Sequence, residues 1–244
     1  RLGRLAGSGG SILNNSRSFW VTGATNGLGI ALVSGLLEQG HRVAASGMQS
    51  QELTALASHY GERLLLLPGQ LHDSSQAQAA VTQLQAAWGS LDGLLINAGT
   101  CDYLADDLPY TDLFQSIVTS NLQASANCLA AALPLLTKGD AAQVMAILSR
   151  YSAMQLYEPN QPLSGFNSPP HWFREQRQVL LDLGIDLTLV APQSLKAPVT
   201  LAQAVPEQWT AQSAAQVLLA SLPKREPELV LEALSLNSLW PLPR

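Results

Sequence analysis

"VTGATNGLGI", residues 21–30, sets three glycines, Gly23, Gly27 and Gly29, between an apolar run and a helix-like repeat. The run "SFWVTG" (18–23) reads as a short buried strand. Beyond the turn, Leu28, Leu32 and Leu36 recur in one row with Val33 and Leu37 beside them, and Gly40 follows as a helix stop. In this position each glycine has a physical use. Gly23 permits a tight turn, Gly27 lets backbone approach a pyrophosphate, and Gly29 allows close packing. The helix that opens here offers free N–H groups and a positive dipole end to an anion. The competing reading is an ordinary glycine-rich turn.

Further along, strand-like and helix-like stretches alternate. "HRVAAS" (41–46), "ERLLLLPGQL" (62–71), "LDGLLINAG" (91–99), "AQVMAILS" (142–149) and "IDLTLVAP" (185–192) read as strands. Between them, helices are expected at "SQELTALASHYG" (50–61) and at "SSQAQAAVTQLQAAWG" (74–89), the latter with Ser75 as its cap. A long helix is expected around 112–138. Another should open at "NSPPHWF", with Ser168 as N-cap, Pro169 first in the helix, and Trp172, Phe173, Val179, Leu180 and Leu183 on one face. The stretch "SAAQVLLASLPKREPELVLEAL" adds one more helix and a seventh strand. Such alternation predicts α/β architecture: one doubly wound domain with a mostly parallel sheet flanked by helices. The expected division is a flexible N-terminal extension over 1–17 and a single domain over 18–244. For "RLGRLAGSGGSILNNSR" a mobile tail is expected, with a trimmed transit segment as the alternative.

Composition agrees. Of 244 residues 47% are apolar and 13% charged, which suits a large buried core. A net charge of −5 gives no electrostatic reason to expect nucleic acid or an anionic membrane. Cys101 and Cys128 have neither the number nor the spacing of a metal site or disulfide framework, so no metal and a reducing, cytoplasmic setting are expected. The apolar run "LAAALPLL" (129–136) is interrupted by Pro134 and falls short of the roughly 20 residues of a membrane span.

The spacing T-G-x-x-x-G-x-G at 22–29 resembles the short-chain dehydrogenase/reductase family, and further marks of that family follow in order. "INAG" (96–99) matches its N-A-G, Asn121 its helix asparagine that supports a proton-relay water, and Ser149 the serine that hydrogen-bonds the substrate oxygen. "VAPQSLKAP" resembles the segment that caps the nicotinamide. The resemblance implies a Rossmann-type domain that holds NAD or NADP through Gly23, Asn26, Gly27, Leu28, Gly29, Gln70, Leu71, Asn97, Ala98, Gly99 and Pro192. It implies a small-molecule carbonyl or alcohol as substrate, with Ser149 and Asn121 at the catalytic centre. It also implies a homodimer through the helix at 121–137 and the next one.

The resemblance fails where the chemistry should be. The family's tyrosine, about thirteen residues after the serine, falls on Pro162, and its lysine falls on Phe166. Proline has no ionisable group, and phenylalanine can neither hold a ribose hydroxyl nor supply a charge. Tyr151, Tyr157 and His171 are the alternative donors, each with a packing or surface role as the competing reading. At the adenosine end, Gly47 stands where an acid would favour NAD, and Met48 and Asn26 stand where an arginine would favour NADP. Gln70 replaces an aspartate and Gln193 a glycine. The segment 193–212 is expected to form a lid with Trp209 as a possible wall, and Trp240 and Leu242 to cover the cleft or a neighbouring subunit. Three functions stay open: an impaired oxidoreductase, a non-catalytic nucleotide-binding regulator, and a bare scaffold.

Overall fold

Short apolar runs pair as strands, and the longer periodic stretches between them coil as helices across the two faces of the sheet. The computed structural model describes residues 15–25, 27–97, 110–148, 168–191, 202–205 and 210–233. In chain order the elements are β1 (Ser18–Val21), α1 (Gly27–Glu38), β2 (Arg42–Ala45), α2 (Gln51–Tyr60), β3 (Leu64–Leu66), α3 (Ser74–Trp88) and β4 (Gly93–Asn97). There follow α4 (Tyr110–Leu136), β5 (Gln143–Ile147), α5 (Ser168–Asp182), β6 (Asp186–Ala191), β7 (Ala202–Val205), α6 (Ala211–Ser221) and β8 (Glu228–Ala233). The sheet order is β3-β2-β1-β4-β5-β6-β8-β7, and every pairing is parallel.

Alternation along β1 divides the core in two. Phe19 and Val21 join the cluster under α1, α2 and α6, where Leu32, Leu36, Leu53 and Leu218 are buried. Trp20 points the other way, into the cluster built with α3, α4 and α5 through Leu84, Leu129, Leu135 and Phe173. Its indole is fully buried and donates from Nε1 to Ser46 Oγ at 2.9 Å, so the polar atom of a large core side chain is satisfied.

Several expectations need correction. The third strand is confined to Leu64–Leu66, because residues 61–63 wind into a 3₁₀ turn. The cap of α3 is Asp73, not Ser75: its carboxylate accepts from the Ser75 backbone N–H at 2.8 Å and from the Ser75 hydroxyl at 2.7 Å. Phe173 and Leu180 form the inward face of α5; Val179, one residue off that row, is exposed, and Leu183 is exposed in the turn beyond the helix end. An eighth strand, β7, lies within the stretch expected to be a lid. It pairs with β8, where its backbone groups find partners. Among the described residues, no helix is long and apolar enough to cross a membrane.

At the N-terminal ends of the strands, Asp92 acts as a clasp. It accepts from the Ser18 backbone N–H at 2.9 Å, the Ser18 hydroxyl at 3.2 Å and the Asp140 N–H at 2.7 Å. Asp92→Ala should therefore cost about 2 kcal/mol by leaving those donors unpaired. In a domain of this size that is a melting shift of roughly 4–8 °C. Because the clasp lies at the end of the sheet opposite the glycine turn, nucleotide binding should be unchanged; a thermal scan and a titration check both halves.

Candidate functional site

The chain proceeds β1→β2→β3 outward on one side and then returns to set β4 on the other side of β1. That reversal opens a crevice at the C-terminal ends of β1 and β4, the usual place for a ligand in an open parallel sheet. The glycine turn lies there. Gly23 and Gly27 take φ of 61° and 53°, a left-handed backbone that L side chains rarely adopt. A Cβ on Gly29 would sit 1.9 Å from the Gly23 carbonyl oxygen, so α1 starts in direct contact with the turn. A Cβ on Gly27, by contrast, would meet nothing within 4 Å. The space where a Gly27 Cβ would stand is thus empty, at the N-terminus of α1.

Asn97, at the end of β4, locks this arrangement. Its side-chain Nδ2 donates to the Gly23 carbonyl at 3.2 Å, and its backbone N–H donates to Thr22 Oγ1 at 3.2 Å. The Thr22 N–H in turn donates to the Leu95 carbonyl at 3.0 Å. Gly23, Gly29 and Asn97 are therefore brought together as one unit, and the Asn97 side chain shapes the turn from below. On the other flank, Ala24 N–H donates to the Ser46 carbonyl at 2.9 Å, which ties the turn to the end of β2. Leu28 is half-buried against the α1 side of the core.

The loop after β3 is held differently. Leu71 is buried in the core, whereas Gln70 is exposed and its backbone N–H donates to Gln76 Oε1 at 2.7 Å. Asn127 of α4, a residue that sequence reasoning missed, donates from Nδ2 to the carbonyls of Leu71 and His72 at 3.0 and 2.9 Å. Its signal was there: an amide inside the otherwise apolar stretch "SANCLAAALPLL" needs partners once buried. Asn121 lies six residues earlier on α4, buried, with its carbonyl accepting from Ser125 Oγ at 2.7 Å.

Asn26, Ala98, Gly99, Ser149, Tyr151, Tyr157, Pro162, Phe166, Pro192, Gln193, Trp209, Trp240 and Leu242 lie outside the described residues. Of the alternative proton donors only His171 is described. It is exposed on the first turn of α5, 3.1 Å from Glu175 Oε1, an ordinary surface pair. Cys128 is buried in the core, where burial pushes its thiol pKa up, so it serves as packing and not as a nucleophile. Among the described residues, no group of three or more His, Cys, Asp or Glu side chains could hold a metal.

The crevice, the glycine turn and the opening of α1 define an α/β domain of the doubly wound class. Comparison with known proteins narrows it. The family model described as short chain dehydrogenase matches residues 18–160, more than half of the chain. The chain belongs to the short-chain dehydrogenase family. Its relatives include the 3-phenylpropionate-dihydrodiol/cinnamic acid-dihydrodiol dehydrogenase of Escherichia coli, 33% identical over 91 residues. That match takes in 37% of this chain and 34% of the relative, so the chain spans about a third of the length of the curated relatives it matches. Among solved structures, a short-chain dehydrogenase from Streptomyces avermitilis superposes with a TM-score of 0.67 at 16% identity, covering 92% of this chain and 90% of that one. The Pseudomonas aeruginosa RhlG/NADP active-site complex gives 0.66 at 18% identity, covering 88% and 94%. At such identities these likenesses establish the fold.

Proposed function

We propose that this chain binds NAD(H) or NADP(H) across the C-terminal ends of β1, β2 and β4 and is an oxidoreductase with weakened carbonyl–alcohol chemistry. The observation that carries the first half is the glycine turn. A Cβ at Gly27 would meet nothing within 4 Å, while Gly29, Asn97 and Ser46 fix the backbone around it. Pyrophosphate would meet the N–H groups at the start of α1 with no rearrangement, which is the pre-organisation that favours binding. The relatives support the reading by their printed names, one a dehydrogenase and another captured with NADP. When bound, the dinucleotide supplies or accepts the hydride.

The second half rests on Pro162 and Phe166. With neither a phenol nor an ammonium at those positions, the proton that accompanies hydride transfer has no family donor, and Ser149 is left to orient the substrate oxygen. Loss of a general acid costs about 10²–10⁴ in rate. Loss of the lysine also removes a hold on the nicotinamide ribose. The same two residues favour a second reading, a nucleotide-binding regulator without turnover. We further propose that the chain pairs with a second copy through α4 and α5, where Val179 and Leu181 are exposed, and that it works in the cytoplasm.

A single-turnover experiment separates the two readings. NADH or NADPH is mixed with excess protein and a panel of aldehydes, ketones and quinones, and the decay of nicotinamide absorbance is followed. Slow decay that Ser149→Ala abolishes is expected for the impaired enzyme. Saturable binding with no decay beyond the protein-free control would instead assign the regulator.

A further inference from the structure

The loop that follows β2 has been closed in a way that bears on how the two dinucleotides are told apart. Gly47 has an ordinary φ, so it is not glycine for backbone freedom; it is glycine for space. A Cβ there would lie 2.7 Å from Thr25 Oγ1, 2.8 Å from the Thr25 backbone nitrogen and 3.0 Å from the Ala24 nitrogen. Two of those three atoms are backbone of the glycine turn and cannot rotate aside. The next residue is tied down as well: Met48 N–H donates to Thr25 Oγ1 at 2.7 Å, while its side chain is 54% exposed. Ser50 Oγ is spent as the cap of α2, accepting from Leu53 N–H at 3.1 Å.

The Met48 N–H and Ser50 Oγ are thus engaged within the protein, and no lysine or arginine occurs between Arg42 and Arg63. A cleft of about 260 Å³ reaches from Gly47 between the ends of β2 and β3. Ala45, Gln49, Leu53, Thr54 and Leu67 help to line it, and none of its lining residues is ionisable. A dinucleotide fold normally reads the adenosine ribose here, with a carboxylate for a free 2′-hydroxyl or an arginine for a 2′-phosphate. This loop has neither, and at Gly47 it has no room for the first.

We infer that the chain selects its dinucleotide by shape alone at this end and holds NAD(H) and NADP(H) with affinities within about tenfold of each other. The inference rests on the nucleotide-binding reading above. Glu52, exposed at the start of α2, is the acidic residue nearest in sequence, and it lines a groove with Gly27, Glu38 and His59. An exposed charge there acts through solvent and salt, so its influence on a 2′-phosphate is small.

The test titrates the full chain with NADH and NADPH separately, by calorimetry, alongside Gly47→Asp, Met48→Arg and Glu52→Gln. Wild-type dissociation constants within about tenfold are expected; a larger gap in either direction overturns the inference while leaving nucleotide binding intact. Absence of binding by both would defeat the underlying reading and this inference with it. Met48→Arg has an exposed position from which to meet a 2′-phosphate, and should tighten NADPH roughly 10- to 100-fold with NADH unchanged. Gly47→Asp should weaken both nucleotides together and lower the melting temperature. A G47D chain that melts normally and favours NADH would contradict the steric argument, as would a Met48→Arg chain with an unaltered ratio. A preference that appears only on Glu52→Gln would assign discrimination to that charge instead.

Discussion

Gly29→Ala is expected to destabilise the domain by about 3 kcal/mol and to abolish dinucleotide binding. Helix propensity alone argues the opposite, since alanine in the first turn of α1 should gain up to about 1 kcal/mol over glycine. The contact decides. The new methyl would sit 1.9 Å from the Gly23 carbonyl oxygen and 2.9 Å from the Ala24 Cα, both backbone. Relief therefore means moving α1 off the turn, and overpacking of this kind costs about 1–3 kcal/mol even where side chains can yield. A melting shift of roughly 6–12 °C follows for a domain of this size. Gly27→Ala makes a useful contrast. It clashes with nothing but forces alanine to φ 53°, a cost of only about 1–2 kcal/mol. A Gly29→Ala chain that melts like wild type and still binds nucleotide would show that α1 does not rest on the turn.

Trp20→Ala should be the most damaging single change in the core. The side chain is fully buried in β1, and a Trp→Ala cavity costs about 3–5 kcal/mol. It also removes the donor to Ser46 Oγ, and Ser46 is the residue whose carbonyl receives the Ala24 N–H. The core and the site are coupled through that one residue. Trp20→Ala is expected to be largely unfolded at 37 °C. Trp20→Phe keeps most of the apolar volume but leaves the buried hydroxyl without its indole partner. It should fold, melt several degrees lower, and bind nucleotide several-fold more weakly. Near-ultraviolet circular dichroism and a titration distinguish the two variants. Equal binding by Trp20→Phe and wild type would uncouple the core from the site.

The parts of this molecule legible in sequence are those written in local pattern. The β1–turn–α1 unit was readable because three glycines, an apolar strand and a leucine row are contiguous, and the later strands because short apolar runs alternate with helical periods. What escaped the sequence depends on choices between close competitors or on distant neighbours. Asp73 and Ser75 are both good caps, and only the backbone geometry at 73 selects the aspartate. Val179 and Leu180 are equally apolar, but one residue of rotation puts Leu180 in the core and Val179 in water. The strand at 202–205, "AQAV", is too short and too weakly apolar to announce itself before β8 supplies its partner. Within the site, Gly47 could be seen in sequence as a missing acid. Its packing against Thr25 and Ala24 joins residues more than twenty positions apart, and only the folded chain reveals it.

The proposed function stands on a nucleotide cradle that works without the family's catalytic pair. Calorimetric titration of the full chain with NADH tests it most directly, with Gly29→Ala and Asp92→Ala measured beside it. Saturable binding of one nucleotide per chain is expected, raising thermal stability as mass action requires, lost in Gly29→Ala and retained in Asp92→Ala. No heat and no stabilisation at millimolar NADH, from a chain that melts cooperatively, would contradict it and leave the glycine turn as architecture only.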